Sequence, residues 1–213
     1  DLEEVREGIQ IYRHWISGEA SGLGGFFAEY TTALLGEMIC ALKAWRRRGF
    51  DVIHLCNPPD LLFLIALPFK WLAGVKVIYD VHDLWPEMFE AKFQCRGLLY
   101  QAIRLAERCT LALADVVLAT NESVRSVILE RGKKHDSQVF TVRTAPNTLD
   151  LTAPVDQSLR KGRRHLVSYI GVIGSADGVE YLIEAVAHIV RTRQRHDVHF
   201  LLMGHGPEYD RVL

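Results

Sequence analysis

A short apolar strand that ends in a polar pair constrains the fold of this chain more than any other stretch. Residues 77–81 are mostly β-branched or aromatic, which favours a strand buried on both faces of a parallel sheet. His82 and Asp83 follow this strand, and Pro86 predicts that regular structure ends there. Because ligands bind at the carboxyl ends of strands in open α/β sheets, we expect a site around His82.

Strands and helices alternate along the whole chain. Runs of strand length cover residues 8–15, 51–56, 77–81, 115–119, 139–142, 165–170 and 198–203. Helical spacing and end signals predict helices over residues 26–48, 60–74, 97–114 and 178–193, with a short one beginning at 120–123. The alternation predicts βαβ units in a doubly wound α/β domain, a Rossmann-like parallel sheet with helices on both faces.

Several single residues are expected to cap these helices. Gly49 has the position of a C-cap glycine after the first helix, and Asp60 is placed to cap the second. Thr120 or Asn121 is expected to cap the short helix that follows residues 115–119.

The alternation is interrupted once, by a polar segment. Residues 151–164 contain Pro154 and a basic cluster, which is the composition of a linker. The sequence therefore predicts a Rossmann-like domain over residues 1–150, a linker over 151–164, and the start of a second Rossmann-like domain over 165–213. Two strands and one helix bury too little surface to be stable alone, so the second domain is expected to be truncated.

Composition excludes several functional classes. Lys and Arg total 25 and Asp and Glu total 26, so no overall charge favours nucleic acid. The four cysteines are far apart and lie in apolar segments, which indicates reduced core thiols in a cytosolic protein. The most apolar run, residues 61–73, is shorter than the roughly 20 residues that span a bilayer. The basic run at residues 46–48 fits either a solvated helix end or a contact with anionic lipid.

Two glycine-rich loops follow strands of the second predicted domain. The first contains Gly171, Gly174 and Gly178, and the second contains Gly204 and Gly206. Backbone amides at such a turn can hold a phosphate, although neither spacing is a dinucleotide or Walker motif, and a tight turn without ligand explains each loop equally well. Two loops at neighbouring strand ends favour a diphosphate ligand more than either loop alone.

The chemistry of His82 is open on the residues alone. A general base, a metal ligand, a hydrogen-bond donor to a hydroxyl and a structural histidine all fit its place. No second ligand lies at helical metal-site spacing, so no metal is expected. Asp83 and Glu87 are candidates to orient His82, and Glu87 fits a helix cap as well.

Four stretches together resemble one known family. They are DVIHLCNPPD at 51–60, YDVHDLWPE at 79–87, ADVVLATNES at 114–123 and YIGVIGSADG at 169–178. In this order they are similar to the family 4 glycosyltransferases of the GT-B fold. The resemblance implies two Rossmann-like domains, with a nucleotide-sugar bound mainly by the second and the acceptor mainly by the first. It further implies transfer with retention of configuration and without a metal or other cofactor.

The resemblance also assigns roles to residues of this chain. It makes His82 the catalytic residue that hydrogen-bonds the donor sugar, and it places Asn147 at the hinge between the domains. Asp83, Asn57 and Asn121 lie in the matching stretches and are assigned to substrate binding.

The glycine loops are assigned by the same resemblance to the donor diphosphate. The residues concerned are Gly171, Gly174, Gly178, Gly204 and Gly206.

The sequence also departs from the family pattern. Many members have cations where this chain has Val172 and Asp177, so two charges that would neutralise the diphosphate are missing. The acidic donor-binding motif of the family would lie past Leu213, and its opening strand would precede Asp1. The resemblance therefore implies a fragment that is incomplete at both ends and inactive alone.

The expectation is a cytoplasmic hexosyl- or aminohexosyltransferase of polysaccharide biosynthesis. Its expected partners are a nucleotide-sugar donor and a lipid-linked or glycan acceptor, with peripheral contact at the inner face of the membrane. A non-catalytic α/β binding or scaffolding domain remains an alternative. A nucleotide-dependent epimerase or oxidoreductase is a further one, although it should show a GxGxxG loop that neither glycine loop matches.

Overall fold

The computed structural model describes residues 2–16, 22–145, 156–174 and 177–212, apart from the side chains of residues 22, 23, 26 and 92. The chain divides into two compact units, Asp1–Ala145 and Pro146–Leu213. Asn147 and Pro154, the expected hinge residue and the proline of the expected linker, lie outside the described residues.

The first unit begins with a hairpin and continues as alternating helices and parallel strands. Its elements are β1 (Glu3–Arg6), β2 (Ile9–Tyr12), α1 (Gly22–Arg48), β3 (Val52–Cys56), α2 (Phe63–Ala73), β4 (Lys76–Val81), α3 (Trp85–Phe93), α4 (Leu98–Leu113), β5 (Val116–Ala119), α5 (Glu122–Gly132) and β6 (Val139–Thr141). Most predicted elements are confirmed within a few residues of their expected bounds. The sequence interpretation missed β1 and α3.

The four parallel strands follow one another in the sheet in the same order as in the chain, β3-β4-β5-β6. A right-handed crossover between each pair therefore places α2, α4 and α5 on the same face. The burial of the strand side chains agrees with this placement, because one face of the sheet is buried and the other is largely exposed. The buried face consists of Leu55, Val77, Tyr79, Val81, Val117, Ala119 and Val139, and exposed positions of the other face include Val52, His54, Cys56 and Phe140.

Among the described residues, the helices that pack on this sheet lie on one face. The expectation that the strand at 77–81 is buried on both faces was wrong. Lys76, Ile78 and Asp80 alternate with the buried residues of β4 and are exposed or only partly buried. This alternation is visible in the sequence, but Ile78 between two apolar neighbours obscured it. Within the described residues of the first unit, one face of the sheet is packed and the other carries no helix; we call the latter the open face.

Helix α1 packs against the same core and ends where the sequence predicted. Leu34, Met38 and Trp45 contact the core from the helix side, and the ring of Trp45 lies 4.9 Å from that of Phe50. Gly49 has a φ of 66° and its N–H donates to the carbonyl of Trp45, as expected of a C-cap glycine.

The start of α3 corrects the interpretation of Pro86. The proline occupies the first turn of α3, where its missing N–H would have no intrahelical partner in any case. Pro86 therefore fixes the beginning of a helix, and the prediction that regular structure ends there is wrong.

The hairpin is tied to α1 by charge. Glu3 of β1 forms ion pairs with Lys43 and with Arg47, and the Arg47 distance is 2.7 Å. One residue of the basic run at 46–48 is therefore engaged within the unit.

The second unit contains a parallel pair of strands with helices following them. Its main elements are β7 (His165–Ile170), α6 (Val179–Ala187), β8 (Val198–Met203) and α7 (Tyr209–Val212). A π-helical turn, His188–Thr192, extends α6, so the predicted helix over residues 178–193 is confirmed. Both predicted strands of this unit are confirmed as well.

Two findings concern the expected class of protein. All four cysteines are free, but Cys56 and Cys95 are exposed and are not the core thiols that their apolar neighbours suggested. None of the helices in the described ranges is long and apolar enough to cross a bilayer.

The one-sided burial of the sheet can be tested with two valines on adjacent strands. Val77 is fully buried and Val52 is about half exposed on the open face. We expect Val77→Ala to lower the free energy of unfolding by roughly 2 to 3 kcal/mol, from lost burial and a residual cavity. Val52→Ala should lower it by less than about 0.5 kcal/mol. Urea denaturation measures both, and equal losses would contradict a single packed face.

Candidate active site

Asn57 joins the carboxyl ends of β3 and β4. Its Oδ1 accepts hydrogen bonds from the backbone N–H of His82 (2.8 Å) and of Asp83 (3.3 Å). Its Nδ2 donates to the carbonyl of Asp83 (2.7 Å) and to Oδ1 of Asp60 (2.9 Å). Asn57 is buried, so it holds the turn that carries His82 from within the unit. Its predicted substrate contact stays a prediction, and the structure gives it a positioning function that the sequence did not reveal.

Asp60 lies beneath Asn57 in a buried polar network. Its Oδ1 also accepts a hydrogen bond from the hydroxyl of Tyr79, and its carbonyl accepts one from the hydroxyl of Thr110. Its Oδ2 has no hydrogen-bond partner among the described residues. The predicted helix cap at Asp60 was wrong, because the residue begins a short 3-10 turn before α2 without a side-chain cap bond.

Burial raises the pKa of Asp60 to about 6. Hydrogen bonds from Tyr79 and Asn57 act in the opposite direction, and the nearby carboxylates of Glu107 and Glu87 add to the increase. Burial together with the negative charge of Asp60 also raises the pKa of Tyr79. The network therefore favours a neutral phenol that donates to the Asp60 carboxyl group.

His82 stands at the carboxyl end of β4 with its backbone fixed and its side chain accessible. The imidazole is about half exposed, and its Nε2 lies 3.4 Å from Oδ2 of Asp80. The same carboxylate oxygen lies 3.2 Å from Nε2 of His54 on β3. Because Asn57 fixes the backbone of His82 and the ring is open to solvent, the imidazole can hydrogen-bond a ligand.

Glu87 was one candidate to orient the His82 ring, but its side chain binds a different residue. Its carboxylate pairs with Arg131 of α5, which also binds Glu107 at 3.1 Å. Burial acts to raise the pKa of Glu87, but the Arg131 hydrogen bond and charge lower it overall. Burial raises the pKa of Glu107, which is almost fully buried. Glu87 thus links α3 to α5, and Asp80 is the acidic residue that lies against the His82 ring.

The two other predicted substrate residues lie at strand ends in the same unit. Asp83 follows His82 and is exposed. Asn121 caps α5, where its side chain accepts a hydrogen bond from the N–H of Val124 at 2.9 Å, so the predicted cap is confirmed. Its predicted contact with substrate stays a prediction.

An apolar cavity lies between α1, α3 and α4. It has a volume of about 170 Å³, and Tyr30, Leu61, Trp85 and Ile103 are among its lining residues. Trp85 begins α3 three residues after His82, so the cavity wall and the fixed turn belong to one short stretch.

The second unit contains the two glycine loops, and they lie against each other. The N–H of Gly171 donates to the carbonyl of Met203, and the N–H of Ile173 donates to that of His205. A Cβ at Gly204 would lie 1.9 Å from the carbonyl oxygen of Gly171, and one at Gly206 would lie 2.4 Å from that of Ile173. Backbone contact between the loops therefore requires glycine at both positions.

The remaining residues of the first loop bear on whether it can bind a phosphate. Gly178 has a φ of 65° and precedes α6 as its N-cap. The carboxylate of Asp177 lies against Gly174, at 2.9 Å from the place of a Cβ there. A negative charge therefore stands over the loop, and the cation that would favour a diphosphate is missing from Val172 and Asp177.

The chain resembles known proteins both in sequence and in fold. The profile of the glycosyl transferase 4-like domain matches residues 1–143. No curated protein matches the sequence. Sucrose-phosphate synthase from Thermosynechococcus elongatus superposes with a TM-score of 0.65 and 17% identity, over 95% of this chain and 48% of that one. The chain therefore spans about half the length of this structure, and the similarity confirms the Rossmann-like α/β fold.

A second solved structure is more distant. It is a mutant of TarM from S. aureus in complex with Fondaparinux, alpha-GlcNAc-glycerol and UDP. Its TM-score is 0.40 with 14% identity, over 69% of this chain and 32% of that chain, a similarity too low to support an argument.

The buried carboxyl of Asp60 predicts a specific pH dependence. Its raised pKa means that the folded state binds the proton more tightly than the unfolded state, so stability falls as pH rises from about 4 to about 6. Asp60→Asn removes this loss and keeps an acceptor for Tyr79. We expect similar stability of variant and wild type near pH 4, and an advantage of up to about 3 kcal/mol for the variant above pH 6.

Urea denaturation at a series of pH values measures this difference. Asp83→Asn is the matched control, because it makes the same substitution at an exposed carboxyl next to the same turn. A constant offset between Asp60→Asn and wild type would contradict the assignment.

Proposed function

Because the chain belongs to the glycosyl transferase 4-like domain family, we propose that it takes part in transfer of a hexose or aminohexose from a nucleotide-sugar to an acceptor. The observation that carries this proposal is the turn after β4. Asn57 fixes the backbone of His82 by two N–H hydrogen bonds while the imidazole stays accessible. The proposed reaction retains anomeric configuration and needs no metal or other cofactor.

His82 is the proposed catalytic residue. Its ring would hydrogen-bond the donor sugar and stabilise the positive charge that develops on the sugar as the diphosphate leaves. The Asp80 carboxylate lies 3.4 Å from Nε2, so it can help to orient the ring. His82 would thus position and polarise the donor without acting as a nucleophile.

The proposed acceptor is a lipid-linked sugar or a growing glycan, bound by the first unit. The apolar cavity beside Trp85 favours a lipid-linked acceptor, because an aliphatic chain is stabilised in a cavity lined by apolar side chains. Asp83 and Asn121, both exposed at strand ends, are the proposed polar contacts of the acceptor. We place the reaction in the cytoplasm, at the inner face of the membrane.

The proposed donor contact of the second unit is weak. Gly174 and Gly178 would present backbone amides to the diphosphate, whereas the N–H of Gly171 already donates to the carbonyl of Met203. The carboxylate of Asp177 beside Gly174 opposes binding. We therefore propose that the 213-residue chain by itself does not turn over donor. A non-catalytic binding or scaffolding domain is the second candidate, and the close packing of Gly204 and Gly206 favours it by explaining these glycines without a ligand.

Replacing Asp177 tests whether the glycine loop receives the diphosphate. Removing one negative charge a few ångströms from the phosphates contributes about 1 kcal/mol in water, so Asp177→Asn should bind a nucleotide-sugar roughly fivefold more tightly. Isothermal titration with UDP-, GDP- and dTDP-sugars at low salt measures the affinity. Glu184→Gln makes the same charge change on exposed α6 and should have little effect. A chain that binds none of these donors supports the scaffold.

Replacing His82 tests its catalytic part. In an active enzyme that contains this chain, His82→Ala should lower the rate of transfer by about 10²- to 10³-fold, as loss of one hydrogen bond to developing charge does. Thermal stability should change little, because the ring is half exposed and its backbone is held by Asn57. His196→Ala, an exposed histidine of the second unit, is the control. Unchanged turnover together with lost stability would make His82 a structural residue.

A further inference from the structure

The open face of the sheet carries a cluster of side chains, of which only Asp80 also contacts the proposed catalytic residue His82. His54 and Cys56 alternate along β3, and Asp80 lies opposite Cys56 on the parallel strand β4. Because successive side chains of a strand point to opposite faces, all three share the open face. A nitrogen of His54, the sulfur of Cys56 and a carboxylate oxygen of Asp80 lie within 4.8 Å of one another.

We propose that His54, Cys56 and Asp80 form a binding site for Zn²⁺. Imidazole, thiolate and carboxylate are the protein ligands of zinc, and three of them with a solvent molecule complete a tetrahedral shell. Within the described part of the chain this is the one group of three or more such residues with converging ligand atoms. Mg²⁺ and Ca²⁺ prefer oxygen ligands, so a thiolate and an imidazole select the softer ion.

The separation of two of the three proposed ligand atoms fits zinc. Two ligand atoms that each lie about 2.0 to 2.1 Å from zinc at a tetrahedral angle are about 3.3 Å apart. Nε2 of His54 and Oδ2 of Asp80 are 3.2 Å apart, so an ion can enter between them with little movement. Binding forms a bond from the Cys56 sulfur to zinc, and the thiol proton passes to solvent.

The positions of the ligands add to the fit. His54 and Cys56 are exposed, so an ion reaches them from solvent, and β3 and β4 hold their backbones in a fixed register. Asp80 is about one fifth exposed and contacts two histidines, His54 and His82, through the same oxygen. A zinc ion between His54 and Asp80 would stabilise the negative charge of the Asp80 carboxylate. The proposed site is separate from the proposed transfer reaction, for which we propose no metal.

Cobalt(II), a spectroscopic substitute for zinc, tests the proposal on the 213-residue chain kept reduced. We expect one equivalent of Co²⁺ to bind with a thiolate-to-cobalt charge-transfer band in the near ultraviolet, and Zn²⁺ to displace it. Cys56→Ser should abolish the band and weaken Zn²⁺ binding at least about tenfold, because even loss of an outer-shell partner costs 10- to 100-fold. His54→Ala should weaken it similarly.

Cys95→Ser provides the matched control, since Cys95 is also exposed and free but is not part of the cluster. This variant should keep the band and the wild-type affinity for Zn²⁺. A chain without a charge-transfer band, or a band that persists in Cys56→Ser, would overturn the proposal. Circular dichroism of each variant checks that the substitution leaves the fold unchanged.

Discussion

Right-handed crossovers between strands that follow chain order determine the architecture of the first unit. Each of the three crossovers from β3 to β6 adds its helix to the same side, so apolar residues are needed only on one face of each strand. Tyr79 and Val81 accordingly point into the core, while Asp80 between them faces outward. The same constraint that builds the core therefore leaves a polar surface at the ends of β3 and β4. His82 and the proposed zinc ligands both lie on this part of the unit.

The buried network under that surface has a cost and a function. Taking the Asp60 carboxyl out of water disfavours its charge, and one of its oxygens lacks a hydrogen-bond partner among the described residues. A polar group is nevertheless useful there, since Asp60 accepts a hydrogen bond from Asn57 and so fixes the orientation of the Asn57 amide. That amide in turn fixes the His82 backbone. The network lowers the folding stability somewhat, but it fixes the position of the turn that carries His82.

What the sequence could predict depended on how local each signal is. Gly49 and Asn121 act within a few residues of their own helix, and both caps are confirmed. Asn57 and His82 are 25 residues apart, and their hydrogen bond depends on the pairing of β3 with β4. No local pattern announces such a bond. The cluster around Asp80 has no local signature for the same reason, because His54 and Cys56 lie on β3 and Asp80 lies on β4.

The open face was unpredictable for a related reason. Alternating helices and strands are compatible with any strand order, and only that order decides whether crossovers place helices on one face or both. Period-2 patterns in β3 and β4 record the outcome, yet a partly buried Ile78 makes β4 resemble a strand buried on both faces.

The glycines of the second unit show why a motif must be separated from its physical cause. Gly204 and Gly206 tolerate no Cβ because backbone oxygens of the neighbouring loop occupy that space. Their presence would be required with or without a phosphate, so it gives little support to a diphosphate site. Asp177 argues further against tight binding, because its charge would repel the ligand. Most support for the proposed function therefore comes from the first unit, where the buried amide of Asn57 holds the backbone of the exposed His82.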